Sequence, residues 1–243
     1  MLDPVPSGPV LPAGALRTTV VSVASPTPGS RRITLGGEAL RGFALPRGCW
    51  GPYLKLLFPR PDGSLAWRTY SVRAFDPESC ELAVEIMLHE PRGIGASWAM
   101  AAGPGDALAI LGPGVIPVPP APDWIVLAGD RTALPAIAYT LEQLPAATRG
   151  LALIAVEDAA DRQDLAGPPG VEVRWVEGDL ADAVLGAPWP CEGDCVLWAG
   201  AEAGAARRIR AYARKRCGLD ACRRPILNYW KRGQAEGSFD CQR

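Results

Sequence analysis

The hexapeptide Arg68-Thr69-Tyr70-Ser71-Val72-Arg73 sets a cation, an aromatic ring and hydroxyls at alternating positions of one short run. In an extended chain residues two apart share a face, so Arg68 and Tyr70 point one way while Thr69, Ser71 and Arg73 point the other. A guanidinium suits a diphosphate, a ring suits a second ring, and a hydroxyl suits a polar ring edge. Together these are what a flavin asks of a protein. An amphipathic barrel strand with exposed arginines carries the same residues and is the plainer alternative.

Further along lie His89, then Gly93-Ile94-Gly95-Ala96-Ser97-Trp98, then Gly112-Pro113-Gly114. Gly129-Asp130-Arg131-Thr132-Ala133-Leu134-Pro135-Ala136 and Tyr229-Trp230-Lys231-Arg232-Gly233 come after them. In this order the blocks resemble the R-x-Y-S/T, H-x-x-x-G-x-A-S-x-W-A, G-D-x-T-A-L-P-A and Y-W-R-x-G signatures of siderophore-interacting proteins, a branch of the ferredoxin-reductase superfamily. The resemblance implies an FAD-dependent enzyme passing electrons from NADH, NADPH or ferredoxin to a ferric siderophore. It also implies cofactor contacts from Arg68, Thr69, Tyr70, Ser71, His89, Gly93, Gly95, Ala96, Ser97 and Trp98, and from Asp130 and Thr132 near the nicotinamide end.

The elements that must hold these residues follow from the hydrophobic pattern. Short β-runs separated by Pro/Gly turns occupy Leu16–Val23, Arg31–Leu35, Tyr53–Phe58, Arg68–Phe75, Glu81–Leu88 and Ala107–Leu111, the rhythm of a small six-stranded antiparallel barrel. In the fifth run Leu82, Val84, Ile86 and Leu88 alternate onto a core face and deliver His89 to a rim. A helix is expected around Gly95 to Ala102, entered through glycines, and its free N–H groups suit an anion. A simple barrel-capping helix is the bland reading.

Pro117-Val118-Pro119-Pro120-Ala121-Pro122 reads as a stiff linker and divides the chain into an FAD-binding barrel, 1–118, and an NAD(P)H-type α/β domain, 119–243. In the latter, strands at Trp124–Ala128, Leu151–Val156, Val171–Val176, Cys195–Ala199 and Ile226–Tyr229 alternate with helices at Ala133–Leu144 and Ala203–Arg216. This is the pattern of a doubly wound parallel sheet. Ligands bind beyond the carboxyl ends of such strands, which here carry Asp130 and Thr132. No G-x-G-x-x-G is present. Asp130 would repel a diphosphate on that turn and could also cap the following helix. Glu157 and Asp158 end the second strand, where acids oppose a 2′-phosphate, so NADH is favoured over NADPH unless Arg162 and Arg174 lie close enough to reverse the preference.

A ferric catecholate is commonly anionic and calls for local cations. Lys55, on an apolar strand, and Lys231 match family positions, although the family has arginine where Lys231 stands, exchanging a forked donor for a point charge. Arg232 and Arg131 complete the candidates, with a solvated surface charge the alternative for each. Trp230 either stacks on the cofactor adenine or closes the core.

The 243 residues, nearly half of them apolar, suffice for two modest domains. A net charge of −1 excludes a global pull toward nucleic acid or anionic membrane. Met1 to Pro12 carries neither a basic leader nor an apolar run of signal length, and no segment approaches a membrane span, so a cytoplasmic monomer is expected. Cys191, Cys195, Cys217 and Cys222, with Cys241 left over, fit no usual metal knuckle. The single histidine, His89, cannot build a metal site alone. Two other readings share the same features: a ferredoxin reductase or diaphorase, and a non-catalytic flavin- or siderophore-binding module.

Overall fold

The computed structural model describes residues 9–116, 122–190, 193–216 and 223–236. The chain forms two compact units: Met1–Leu45 with Tyr53–Gly114, and Pro46–Pro52 with Val115–Arg243.

The first unit is a closed barrel of β1 (Leu16–Ala24), β2 (Ser30–Gly36), β3 (Trp50–Pro59), β4 (Leu65–Asp76), β5 (Glu81–Met87) and β6 (Ala107–Ile116), in the order β1-β2-β5-β4-β3-β6. Closure leaves no unpaired edge. The expected alternation of β5 is observed, with Leu82, Val84 and Ile86 fully buried among Ile33, Leu35, Leu54, Leu56, Phe58, Val72 and Ile110. Leu88 falls just beyond the strand, its N–H donating to the Gly29 carbonyl at 2.8 Å. Helix α1 (Ile94–Ala101) packs Ile94, Trp98 and Ala99 on this core.

Strand β6 continues through Gly112-Pro113-Gly114, five residues past the expected end at Leu111. Close approach explains these glycines: a Cβ on Gly114 would fall 2.2 Å from Tyr53 Cζ. Only a residue without a side chain lets this stretch run against the tyrosine.

The second unit is a five-stranded parallel sheet in the order β11-β10-β7-β8-β9, built from β7 (Trp124–Asp130), β8 (Arg149–Ala155), β9 (Gly170–Val176), β10 (Cys195–Glu202) and β11 (Ile226–Trp230). Helices lie on both faces, as an all-parallel sheet requires. Helix α2 (Leu134–Gln143) packs Leu134, Ala136, Ile137 and Leu141 against Ile125, Leu127, Ala152 and Trp198. On the other face α3 (Leu180–Leu185) and α4 (Ala203–Arg216) bring Leu180, Val184, Ala206 and Ile209 to Val126, Leu153 and Leu197. The segment Pro46–Pro52 adds Trp50 to the α2 face, and the Gly51 N–H donates to Thr140 Oγ1 at 3.1 Å.

Helix α3 has no counterpart among the elements expected from the sequence. It is six residues long, opened by Asp179, whose side chain accepts from the Asp182 N–H. Of the expected linker, residues 117–121 lie outside the described residues.

Candidate functional site

In the first unit β4 runs antiparallel to β3 with Arg68 opposite Leu56 and Tyr70 opposite Leu54, while Thr69 faces Lys55 and Ser71 faces Tyr53. Leu54 and Leu56 are fully buried, so Arg68 and Tyr70 share the barrel's inner face and the two hydroxyls share the outer one. Lys55 Nζ donates to Thr69 Oγ1 across the strands. Arg68 Nη1 donates to the neighbouring Trp67 carbonyl at 2.8 Å, and no acid pairs with it among the described residues.

Tyr70 meets Phe58 edge-on at 6.3 Å between centroids, and Phe58 meets Trp98 of α1 at 5.6 Å. A Cβ on Gly95 would fall 2.0 Å from the Tyr70 hydroxyl, so the space of the missing side chain is taken by the tyrosine. His89, exposed, lies with its imidazole 3.8 Å from where a Gly93 Cβ would stand. The β4 ring, the loop after β5 and the start of α1 are thereby brought together.

Gly93 leads into α1 in extended conformation and no side chain caps the helix. The first-turn N–H groups of Ile94, Gly95 and Ala96 lack intrahelical acceptors, while the Ser97 N–H reaches the Gly93 carbonyl at 2.9 Å. No acid occupies that first turn. A guanidinium without an acid partner and an uncapped helix start are donors suited to a diphosphate, while the hydroxyls of Thr69 and Ser71 lie on the opposite face of β4; Arg68 and the α1 start fit the FAD expected here.

Beyond Ser71 the β4–β5 ladder shifts register between Val72 and Ala74. Near this shift stands Glu85, a residue that sequence reasoning missed. Its fully buried side chain accepts from Arg32 Nε at 2.9 Å, and Arg73 Nε lies 3.8 Å from the same oxygen. Three strands, β2, β5 and β4, are tied through one carboxylate. A glutamate on the polar side of β5 was the available signal, yet its two partners lie on other strands.

In the second unit Asp130 ends β7, and its Oδ1 accepts from the Thr132 N–H at 2.9 Å and from the Thr132 hydroxyl. Its Oδ2 accepts from the Glu202 N–H at 2.9 Å and from Trp230 Nε1 at 2.8 Å. Burial pushes the Asp130 carboxyl up, against the pull of its hydrogen bonds from Thr132, Trp230 and Glu202. Glu202, another residue sequence reasoning missed, accepts from the Gly204 N–H and, at 3.4 Å, from the Arg232 N–H. The Arg232 guanidinium stands 5.7 Å from the Trp230 ring centroid.

Lys231 is exposed in a turn whose carbonyl takes the Gln234 N–H at 3.0 Å. Arg131 lies 3.6 Å from Asp161. At the end of β8, Asp158 accepts from the Ala160 N–H at 2.8 Å, whereas Glu157 is exposed. Arg162 pairs with Glu177 at 2.9 Å, and Arg174 forks onto Glu172 with both bonds at 2.7 Å. Both arginines therefore have glutamate partners of their own.

Cys195 Sγ donates to the Gly193 carbonyl at 3.9 Å. Cys191, Cys217, Cys222 and Cys241 lie outside the described residues. Among those described, no group of three or more His, Cys, Asp or Glu is placed to hold a metal ion, and no helix is long and apolar enough to cross a membrane.

Residues 122–233 match the family model for siderophore-interacting protein, and residues 62–116 match that for siderophore-interacting FAD-binding domain. The chain is similar to the siderophore-interacting protein SipS from Aeromonas hydrophila, with 31% identity and a TM-score of 0.82 over 91% of this chain and 93% of that one. A siderophore utilization protein from T. fusca has 32% identity and a TM-score of 0.82, over 91% of this chain and 94% of that one. The ferric vibriobactin reductase ViuB of Vibrio cholerae is 28% identical over 87% of this chain and 88% of its own length.

Proposed function

We propose, because this chain belongs to the siderophore-interacting protein family and carries its FAD-binding domain within a flavin-oxidoreductase fold, that it reduces siderophore-bound ferric iron with electrons drawn from a nicotinamide cofactor or ferredoxin. The observation that carries the reading is the pairing of Arg68, which has no acid partner among the described residues, with the uncapped first turn of α1, which carries no acid. When bound, FAD supplies the coupling between a two-electron donor and one-electron acceptors. For NADH the balance is one hydride's electron pair for two ferric ions, giving NAD⁺, a proton and two ferrous ions.

The chain's own part is to bind and orient. Arg68 and the α1 N–H groups neutralise the diphosphate, and Thr69, Ser71 and His89 bound the ring edge. Lys55, Lys231 and Arg232, with Arg131 more closely engaged by Asp161, supply positive charge for an anionic ferric complex. Hard oxygen donors grip ferric iron more tightly than the softer ferrous ion, so reduction loosens the complex. NADH is the preferred nucleotide, because Glu157 and Asp158 oppose a 2′-phosphate while Arg162 and Arg174 are paired with Glu177 and Glu172.

The test is an anaerobic spectrum of the FAD-loaded protein given NADH, NADPH or reduced ferredoxin, then a ferric catecholate with a ferrous chelator. Bleaching, reoxidation and ferrous chelate are expected. A flavin that no donor bleaches, or that bleaches and is not reoxidised by the ferric complex, would refute the reading.

A further inference from the structure

At the carboxyl edge of the second sheet three adjacent strands, β7, β10 and β11, end on one side chain. Asp130 closes β7 and gathers Glu202, the last residue of β10, and Trp230, the last residue of β11. The contacts differ in kind. Glu202 offers a backbone N–H, which fixes strand against strand. Trp230 offers its indole Nε1, which fixes the ring itself. A ring held at one edge has a defined face, and on that face stands the Arg232 guanidinium.

Arg232 is exposed and stands two residues after Trp230, with Lys231 between them. Its backbone N–H is taken by Glu202 Oε1, whose other oxygen takes the Gly204 N–H. The Glu202 carboxylate is thus occupied by two backbone donors, and no acid is paired with the Arg232 guanidinium among the described residues. What directs the guanidinium is the tryptophan face, through cation–π attraction, and what directs the tryptophan is Asp130.

We propose that Asp130 and Trp230 are positioning residues for Arg232, holding its guanidinium at the carboxyl edge of the sheet as a contact for the anionic ferric catecholate. This rests on the function proposed above. Neither residue touches the ligand; each acts through Arg232. The edge is also where open parallel sheets bind their ligands, and an aimed cation there serves binding better than one on a freely rotating side chain, whose ordering must be repeated at every encounter.

The test uses the full FAD-loaded protein and ferric tris-catecholate, with affinity from calorimetry and KM and kcat from ferrous-chelate formation. Trp230→Phe keeps an aromatic face but removes the Nε1 donor together with the fused pyrrole ring. It is expected to weaken binding about two- to fivefold, the range of an exposed cation–π contact, with the loss falling on KM rather than kcat. Arg232→Ala should weaken binding at least as much. In the Arg232→Ala background, Trp230→Phe should then change nothing further, since the group it positions is gone. Equal losses from Trp230→Phe with and without Arg232 would overturn the proposal.

Asp130→Asn, which replaces one acceptor oxygen with an NH2 donor set against the surrounding donors, should repeat the pattern. If that variant does not fold, the Trp230 and Arg232 cycle decides alone. Wild-type protein that fails to bind the ferric complex would refute the proposed function and this inference together, whereas wild-type binding with additive losses refutes the positioning role only.

Discussion

Replacing Gly95 by alanine tests whether Tyr70 is held where β4 and α1 meet. Gly95 lies in the first turn of α1 without a left-handed backbone, so the helix itself would gain from alanine, by about 0.5–1 kcal/mol. Against that gain, the new Cβ falls 2.0 Å from the Tyr70 hydroxyl, 3.1 Å from its Cζ and 3.5 Å from Phe58 Cζ. The first distance is untenable and the ring must move. Forced repacking of this kind costs about 1–3 kcal/mol, and subtracting the helix gain leaves a net loss of roughly 0–2.5 kcal/mol.

The same distances say that one oxygen atom causes most of the conflict. In a Tyr70→Phe background the closest neighbour would be the ring carbon at 3.1 Å, tight yet within reach of a small shift. There Gly95→Ala should be close to neutral. Urea denaturation of the four proteins gives the coupling, and interactions of the hydroxyl with other groups cancel in the cycle. A coupling of about 1 kcal/mol or more is expected, well beyond the ~0.3–0.5 kcal/mol scatter of independent sites. Flavin retention should fall in the single alanine variant. Additive effects, or a Gly95→Ala protein as stable and flavin-loaded as wild type, would refute the reasoning.

Arg68→Ala removes the guanidinium assigned to the diphosphate and should cost about 1.5–3 kcal/mol of FAD affinity, roughly ten- to a hundredfold in Kd by flavin fluorescence titration; undiminished affinity would remove Arg68 from the site. Glu85→Ala leaves Arg32 and Arg73 facing each other without their carboxylate. Breaking a buried pair costs about 3–5 kcal/mol, and the low end is expected because the Arg32 side chain keeps 33% of its exposure; chemical denaturation measures it. For Asp130 the folded protein holds the proton to higher pH than the unfolded chain does, so its titration favours the native state most fully below the ordinary carboxylate value of 3.8 and progressively less as pH rises through the raised folded value. The stability of wild type relative to Asp130→Asn should therefore fall with rising pH across that window, and a flat or rising difference contradicts the shift.

Where one face of an element is buried, the pattern of residues reports it. The alternation of β5 and the apolar runs of β7, β8 and β10 locate their strands, and Ala203–Arg216 coincides with α4. Places where a backbone approaches a side chain far away in sequence are opaque. The strand expected to end at Leu111 stops short of Gly112-Pro113-Gly114, because nothing local reveals Tyr53 lying across it. Helix α3 is too short to show a period and is announced only by Asp179 at its start.

The site divides in the same way. The parity of Arg68, Tyr70, Thr69 and Ser71 follows from strand geometry, and β3 supplies the matching residues. Trp230 leaves two readings open because its partner is Asp130, a hundred residues away. The contact of its indole N–H with a carboxylate belongs to neither reading. A conflict visible in the sequence, an acid on the turn where a phosphate would rest, is met by Thr132, Glu202 and Trp230 surrounding that acid with donors.

The excursion of Pro46–Pro52 into the second unit has a consequence for how the protein is made. Trp50, 6% exposed, belongs to the cluster of Ile125, Ala136, Ile137 and Trp198, residues translated some seventy-five or more positions later. On a ribosome the barrel's strands emerge first, but this tryptophan must wait for α2 and β10 before it has anywhere to go. A gene fragment cut after residue 114 would carry an orphaned indole, and the complementary fragment would fold around a vacancy of its size, a defect that elsewhere costs about 3–5 kcal/mol. By contacts the molecule is two units, and because Pro46–Pro52 belongs to the second, a cut at residue 114 divides that unit.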